Sequence, residues 1–212
     1  MESTATTSRP LLARFPTGVT VIVGAVAAMW MIELVDAVAL DDRLQANGIH
    51  PRQLDGLDGI LWAPLLHSTF GHLASNTIPF LVLGGLVAVR GLQRWLLVTA
   101  TAVVVGGGLT WLLAGGGNHI GASGVVFAYL GALLGAAVLE RRPASIAPAL
   151  VAVILYSGMI VGLVPQSRIS WEGHLFGLVA GILVARWLAR ERRSRLTVGP
   201  QPWEADQPWL EP

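Results

Sequence analysis

Six apolar runs, at about 17–38, 69–89, 95–114, 121–139, 144–164 and 173–190, constrain this chain more than any other feature. Each is long enough to cross the ~30 Å hydrocarbon core of a bilayer as a helix. Backbone hydrogen bonding in lipid leaves only helices and closed barrels as spanning structures. No alternating ten-residue segments are present to build a barrel. A composition of 53% hydrophobic and 13% charged residues, with mean hydropathy +0.62, is too apolar for a soluble domain of 212 residues. The expected fold is an all-α membrane protein of six transmembrane helices. Residues 1–14 are expected to be a cytoplasmic N-terminal segment and 15–190 the membrane domain. Residues 191–212 read as a cytoplasmic, proline-containing tail without a sustained period, expected to be disordered.

Orientation follows from arginine, because the chain has fourteen Arg and no Lys. With the N-terminus inside, Arg9, Arg14, Arg90, Arg94, Arg141, Arg142, Arg186, Arg190, Arg192, Arg193 and Arg195 are cytoplasmic. Arg43, Arg52 and Arg168 remain outside. That asymmetry predicts a multi-pass cell-membrane protein with both termini in the cytoplasm. "AVA" at 37–39 resembles a signal-peptide cleavage site, but the first run is longer than an ordinary signal h-region, and Glu33 and Asp36 interrupt its end. It reads as a retained span. The absence of Cys excludes disulfides, thiolate chemistry and Cys-bound metal. The 39–68 segment, rich in Leu, Ile and Trp, reads as a folded element partly set into the outer leaflet.

Polar side chains inside a span are costly and need a reason. His67, His72 and Asn76 lie at the start of the second run, Ser123 opens the fourth and His174 opens the sixth. All three runs cross from outside to inside, so the five residues share a depth just below the outer surface. His72 and Asn76, at i and i+4, share a helix face. His67 lies about 140° from His72 around an ideal helix, so it points elsewhere or belongs to the loop. Gly173, Gly177 and Gly181 line the sixth run, and Gly124, Ala128, Ala132 and Ala136 the fourth. Such small-residue faces let membrane helices pack closely. Packed that way, Ser123 meets His174, the minimal arrangement for nucleophilic acyl transfer. Glu172 is on the wrong face to orient His174, so a dyad is expected, with the imidazole packed on Phe127. Oxyanion donors are expected from the Ser123 amide, His72 and Asn76. Gly121 and Gly124 allow close approach of backbone to a substrate.

The ordinary readings of these residues are structural. A serine at a span's start is usually a cap or packing residue. Trp30, Trp62, Trp95, Trp111, Trp171 and Trp187 read as interface anchors. Glu33, Asp36, Asp41 and Asp42 read as a solvated loop edge pairing with Arg43 or Arg52, and His50 and His119 as loop residues. No metal is expected on His67, His72 and His174, because the i, i+4 histidine pair with its glutamate is missing.

Three motifs in order resemble the rhomboid family of intramembrane serine proteases. "GASG" at 121–124 fits its G-x-S-G, "HSTFGHLASN" at 67–76 its H-x4-H-x3-N, and "GHLFG" at 173–177 its glycine-flanked histidine. "GIHPRQLDGLDGILWAPLLHSTFGHLASN" (48–76) also resembles the long first loop of bacterial members. The resemblance implies a six-helix rhomboid-like bundle with a structured first extracytoplasmic loop. It makes Ser123 the nucleophile and His174 the base, with His72 and Asn76 at the oxyanion and His67, Phe127, Gly173 and Gly177 in support. Many bacterial members carry tyrosine where this chain has Phe127. The implied partners are transmembrane substrates within the lipid bilayer, with no nucleic acid, metal or cofactor. The fifth span and "VPQSRIS" (164–170) would form a lateral gate. The competing reading is a non-proteolytic relative that binds membrane clients; a transporter would need inverted repeats that are not visible.

Overall fold

The computed structural model describes residues 17–166 and 169–197, apart from the side chains of 195–197. Residues 1–16, Ser167, Arg168 and 198–212, with the expectations attached to them, lie outside the described residues. Among the described residues, six helices are long and apolar enough to cross a membrane: Thr17–Ala39, Phe70–Ala88, Leu92–Leu113, Ser123–Glu140, Pro143–Leu163 and Trp171–Ser194. The bundle is all-α, and the protein is a multi-pass membrane protein. The sixth helix continues to Thr197, seven residues past the limit expected at 190. "ERRSRLT" contains no helix breaker, so the helix simply extends beyond its apolar stretch.

The fourth span sits at the centre, with 56% of its apolar window buried, against 11% for the fifth. Its contact with the sixth span is backbone on backbone. A Cβ added at Gly177 would lie 2.0 Å from the Gly124 carbonyl oxygen, and one at Gly181 2.0 Å from that of Ala128. From the other side, a Cβ at Gly131 would meet the Leu178 oxygen at 2.2 Å. The small-residue stripes therefore bring these two helices together, as their spacing predicts.

Below the site, Phe80, Trp95 and Tyr129 form an aromatic knot, and the Tyr129 hydroxyl lies 2.9 Å from Thr99 Oγ1. Trp95 is thus not an interface anchor: it is 4% exposed and stacks on Tyr129. Gly84 makes room, since a Cβ there would lie 3.2 Å from Trp95 Nε1. At the end of the bundle away from the site, Arg90 and Arg94 pair with Glu140, which also accepts from Ser145. The third span contains a π-helical stretch, Ala102–Gly106, whose last residue lies against Gly177. Such widened turns occur mostly as single-turn bulges, often near functional sites.

The first loop is folded from short helices at Leu44–Ala46, Leu54–Gly56, Gly59–Trp62 and Ala63–Leu65. Glu33 and Asp36 are buried, at 6% and 3% exposure, rather than a solvated edge. Asp36 accepts the Leu44 and Gln45 amides at 2.8 and 3.2 Å, so it holds the first short helix instead of pairing with an arginine. Arg52 donates to the Ala114 and Leu112 carbonyls at 2.7 and 3.4 Å, capping the third span where its last carbonyls lack helical partners. Ile49 and His119 exchange both backbone hydrogen bonds at 3.0 Å, tying this loop to the 115–120 connection.

The arginine distribution makes a direct prediction about sidedness. The chain is free of cysteine, so Asp55→Cys and Asn118→Cys should label with an impermeant thiol reagent on intact cells. Gln93→Cys and Arg142→Cys should label only after lysis. The reverse pattern would place the 39–68 loop in the cytoplasm.

Candidate active site

The second span is started by Thr69, whose Oγ1 accepts the His72 amide at 3.0 Å as an N-cap. One turn of helix then sets His72 and Asn76 on the same face, and Asn76 Nδ2 donates to the His72 carbonyl at 3.1 Å. Ser68 Oγ lies 3.3 Å from His72 Nδ1. With that hydroxyl donating, Nε2 carries the ring proton and points at Gly121. A Cβ there would lie 2.7 Å from Nε2 and 3.7 Å from Asn76 Nδ2. Gly121 also has φ +112°, where a side chain would be strained. Space and backbone conformation both demand glycine there.

His67 belongs to the loop, the second of its two expected placements, and from there its ring reaches this group. Leu66 is extended, outside the helix, so helical phase does not apply. The His67 ring sits 5.1 Å from that of His72, and its Nε2 accepts the Ala122 amide at 3.3 Å. Burial, aided by His72, pushes its pKa down to about 4, which keeps that lone pair available at neutral pH. His67 therefore braces the backbone immediately before Ser123.

Ser123 is the first residue of the fourth span, and His174 lies one turn into the sixth. The backbone contact at Gly177 and Gly124 brings the two together. Ser123 Oγ is 2.8 Å from His174 Nε2, and His174 Nδ1 is 2.7 Å from the Gly162 carbonyl. A carbonyl only accepts, so Nδ1 carries the proton and Nε2 is left to accept from the serine hydroxyl. Phe127 stacks on the imidazole, with centroids 4.4 Å apart and planes 13° apart. Glu172 accepts the Gly115 amide at 3.2 Å and does not orient His174. The Gly162 carbonyl occupies the position an acid would take in a triad. Nothing in "VGLVP" marks it in sequence, because it depends on where the Ser157–Leu163 3-10 turn ends.

Around the serine, the first helical N–H groups have no intrahelical acceptor. His72 Nε2 and Asn76 Nδ2 both face the space beside Gly121, two residues before that helix start. An open cleft of ≈ 760 Å³ is lined by His72, Asn76, His119, Ser123, Ser170 and His174. That volume suits several residues of extended peptide. On the other side of Ser123, a pocket of ≈ 50 Å³ runs between Ile49, Pro64, Thr110 and Val125. It has room for about three waters. His119 and Ser170 border both spaces; the sequence marks His119 only as a loop residue and does not single out Ser170. Gly173 lies against Ser170, where a Cβ would come within 2.6 Å of its hydroxyl. Among the described residues, no three His, Cys, Asp or Glu are placed to hold a metal.

The fold and site define a class: a six-span helical membrane protein with a serine, an imidazole and amide donors gathered near one end of the bundle. The chain matches the Rhomboid domain over residues 57–191, and it belongs to the rhomboid family. Uncharacterised proteins of Mycobacterium bovis and Mycobacterium tuberculosis are each 41% identical over 204 residues, covering 91% of this chain and 83% of theirs. An uncharacterised protein of Mycobacterium leprae is 38% identical over 193 residues, covering 86% of this chain and 76% of its own.

Proposed function

We propose that this protein is an intramembrane serine protease that cleaves transmembrane segments of other proteins near the outer leaflet. The observation that carries this reading is the 2.8 Å contact between Ser123 Oγ and His174 Nε2, with Nδ1 held by Gly162. In the proposed reaction, the Ser123 proton passes to His174 Nε2 as Oγ bonds to the scissile carbonyl carbon. The oxyanion is received by the Ser123 amide, His72 Nε2 and Asn76 Nδ2. His174 then gives its proton to the leaving nitrogen as the C–N bond breaks. Water, deprotonated by the same imidazole, releases the acyl group and restores the serine.

The substrate must arrive unwound, because an intact helix occupies its own carbonyls. In this reading the acceptor edge is the 118–120 segment, which is held by the Ile49–His119 bridge. His119 gives both backbone groups to Ile49, so those of Asn118 and Ile120 face the other way, and both residues line the cleft. The sparsely buried fifth span forms the lateral entrance in this reading.

The test is labelling by a serine-reactive fluorophosphonate in detergent. Wild-type protein should label and Ser123→Ala should not; an unlabelled wild type that still binds membrane clients would favour the non-proteolytic reading. The oxyanion donors can be separated from the dyad by size. Asn76→Ala and His72→Ala should each lower kcat roughly ten- to a thousandfold while leaving Ser123 able to label. Full kcat in both variants would remove these side chains from the oxyanion site.

A further inference from the structure

His119 faces Ser170 across the mouth of the site, with Nδ1 2.6 Å from the Ser170 hydroxyl and Nε2 3.3 Å from the Gly115 carbonyl. The carbonyl can only accept, so Nε2 carries the proton and Nδ1 takes the Ser170 hydroxyl hydrogen. Ser170 in turn accepts the His174 amide on its own carbonyl at 3.0 Å, and Glu172 accepts the Gly115 amide at 3.2 Å. The 115–119 loop is thus fastened at both ends to residues 170–172, where the sixth span begins. The same loop runs on through Gly121 into Ser123. His119 itself is held in place by an isolated β-bridge, since its backbone is paired with Ile49 in both directions.

We infer that His119 is a positioning residue, which sets through Ser170 the register of the sixth span against Ser123. The glycine contact between the fourth and sixth spans fixes their separation. A smooth face of that kind does little to stop one helix sliding or turning on the other. The His119–Ser170 hydrogen bond, one turn above His174, supplies that restraint. It lies between side chains that border both the cleft and the water-sized pocket. This inference rests on the proposed hydrolysis, because its consequence is read in the geometry of the Ser123–His174 pair.

The experiment measures kcat, KM and melting temperature on a detergent-solubilised transmembrane substrate, with fluorophosphonate labelling alongside. His119→Phe keeps an aromatic ring and loses both hydrogen bonds, and Ser170→Ala removes the partner hydroxyl. Each should lower kcat about tenfold with KM held within about twofold, as expected when alignment rather than binding is lost. The double variant should be no slower than either single one, because both remove the same bond. His119→Asn places Oδ1 where Nδ1 stood and should recover kcat to within about threefold of wild type. Full kcat in His119→Phe, multiplicative losses in the double variant, or failure of Asn to rescue would each overturn the inference while wild type still cleaves. A wild type that neither labels nor cleaves would bring down the protease reading, and this inference with it.

Discussion

Ser123→Ala and His174→Ala should each reduce cleavage of a transmembrane substrate by about a thousandfold or more, and the double variant should be no slower than either. Among the described residues, the proton acceptor beside the hydroxyl is His174 Nε2 at 2.8 Å. Removing the serine leaves the base with nothing to activate. Removing the base leaves an alcohol that is a weak nucleophile at neutral pH. The two groups perform one step, so their losses cannot multiply. The melting temperature of Ser123→Ala should stay close to wild type, whereas His174→Ala should lower it somewhat, because the imidazole stacks on buried Phe127 and bonds the Gly162 carbonyl. Substantial proteolysis by Ser123→Ala would end the assignment, whatever the fold.

The second large effect falls on a residue that touches no substrate. Gly177→Ala should lower the melting temperature and cut kcat by about a hundredfold. Its Cβ would stand 2.0 Å from the Gly124 carbonyl oxygen, the backbone of the residue after Ser123. Ordinary contact needs about 3.5 Å, so the two helices must part by more than about 1 Å at that level. Displacements of that size cost about a hundredfold in rate when they misalign reacting groups. Overpacking adds about 1–3 kcal/mol of destabilisation. Gly85→Ala is the matched control: it lies in the second span with nothing within 4 Å of the added Cβ. It should be neutral or slightly stabilising, because alanine is the better helix former. Equal behaviour of the two variants in rate and melting would show that the close approach of the fourth and sixth spans is not required.

The six spans and the closeness of Ser123 to His174 were legible in the sequence, for a shared reason. Both depend on local periodicity: long apolar runs, and small residues every fourth position on two of them. What sequence did not disclose depends on chain path. His67 falls out of helical phase once Leu66 is extended, so its ring turns back to His72 and its nitrogen reaches Ala122. Trp95 has the composition of an interface anchor, but Gly84 opposite it leaves a slot for the indole. Asp36 sits where a span ends, the usual place for a solvated carboxylate, yet the chain doubles back and presents two amides to it. Gly162 contributes a carbonyl, which every residue has, so no side-chain pattern could nominate it.

That carbonyl carries a consequence for timing. Gly162 belongs to the fifth span, the one least embedded in the rest of the protein. Were that helix to swing outward to admit a substrate in the proposed reaction, His174 would lose the acceptor that fixes its ring proton, while Phe127 still held the plane of the ring. The catalyst would be disarmed while the door stands open and rearmed only when the helix settles back. Chemistry and closure would then share one clock: residence behind the closed helix, rather than arrival at the serine, would decide which visitors are cut.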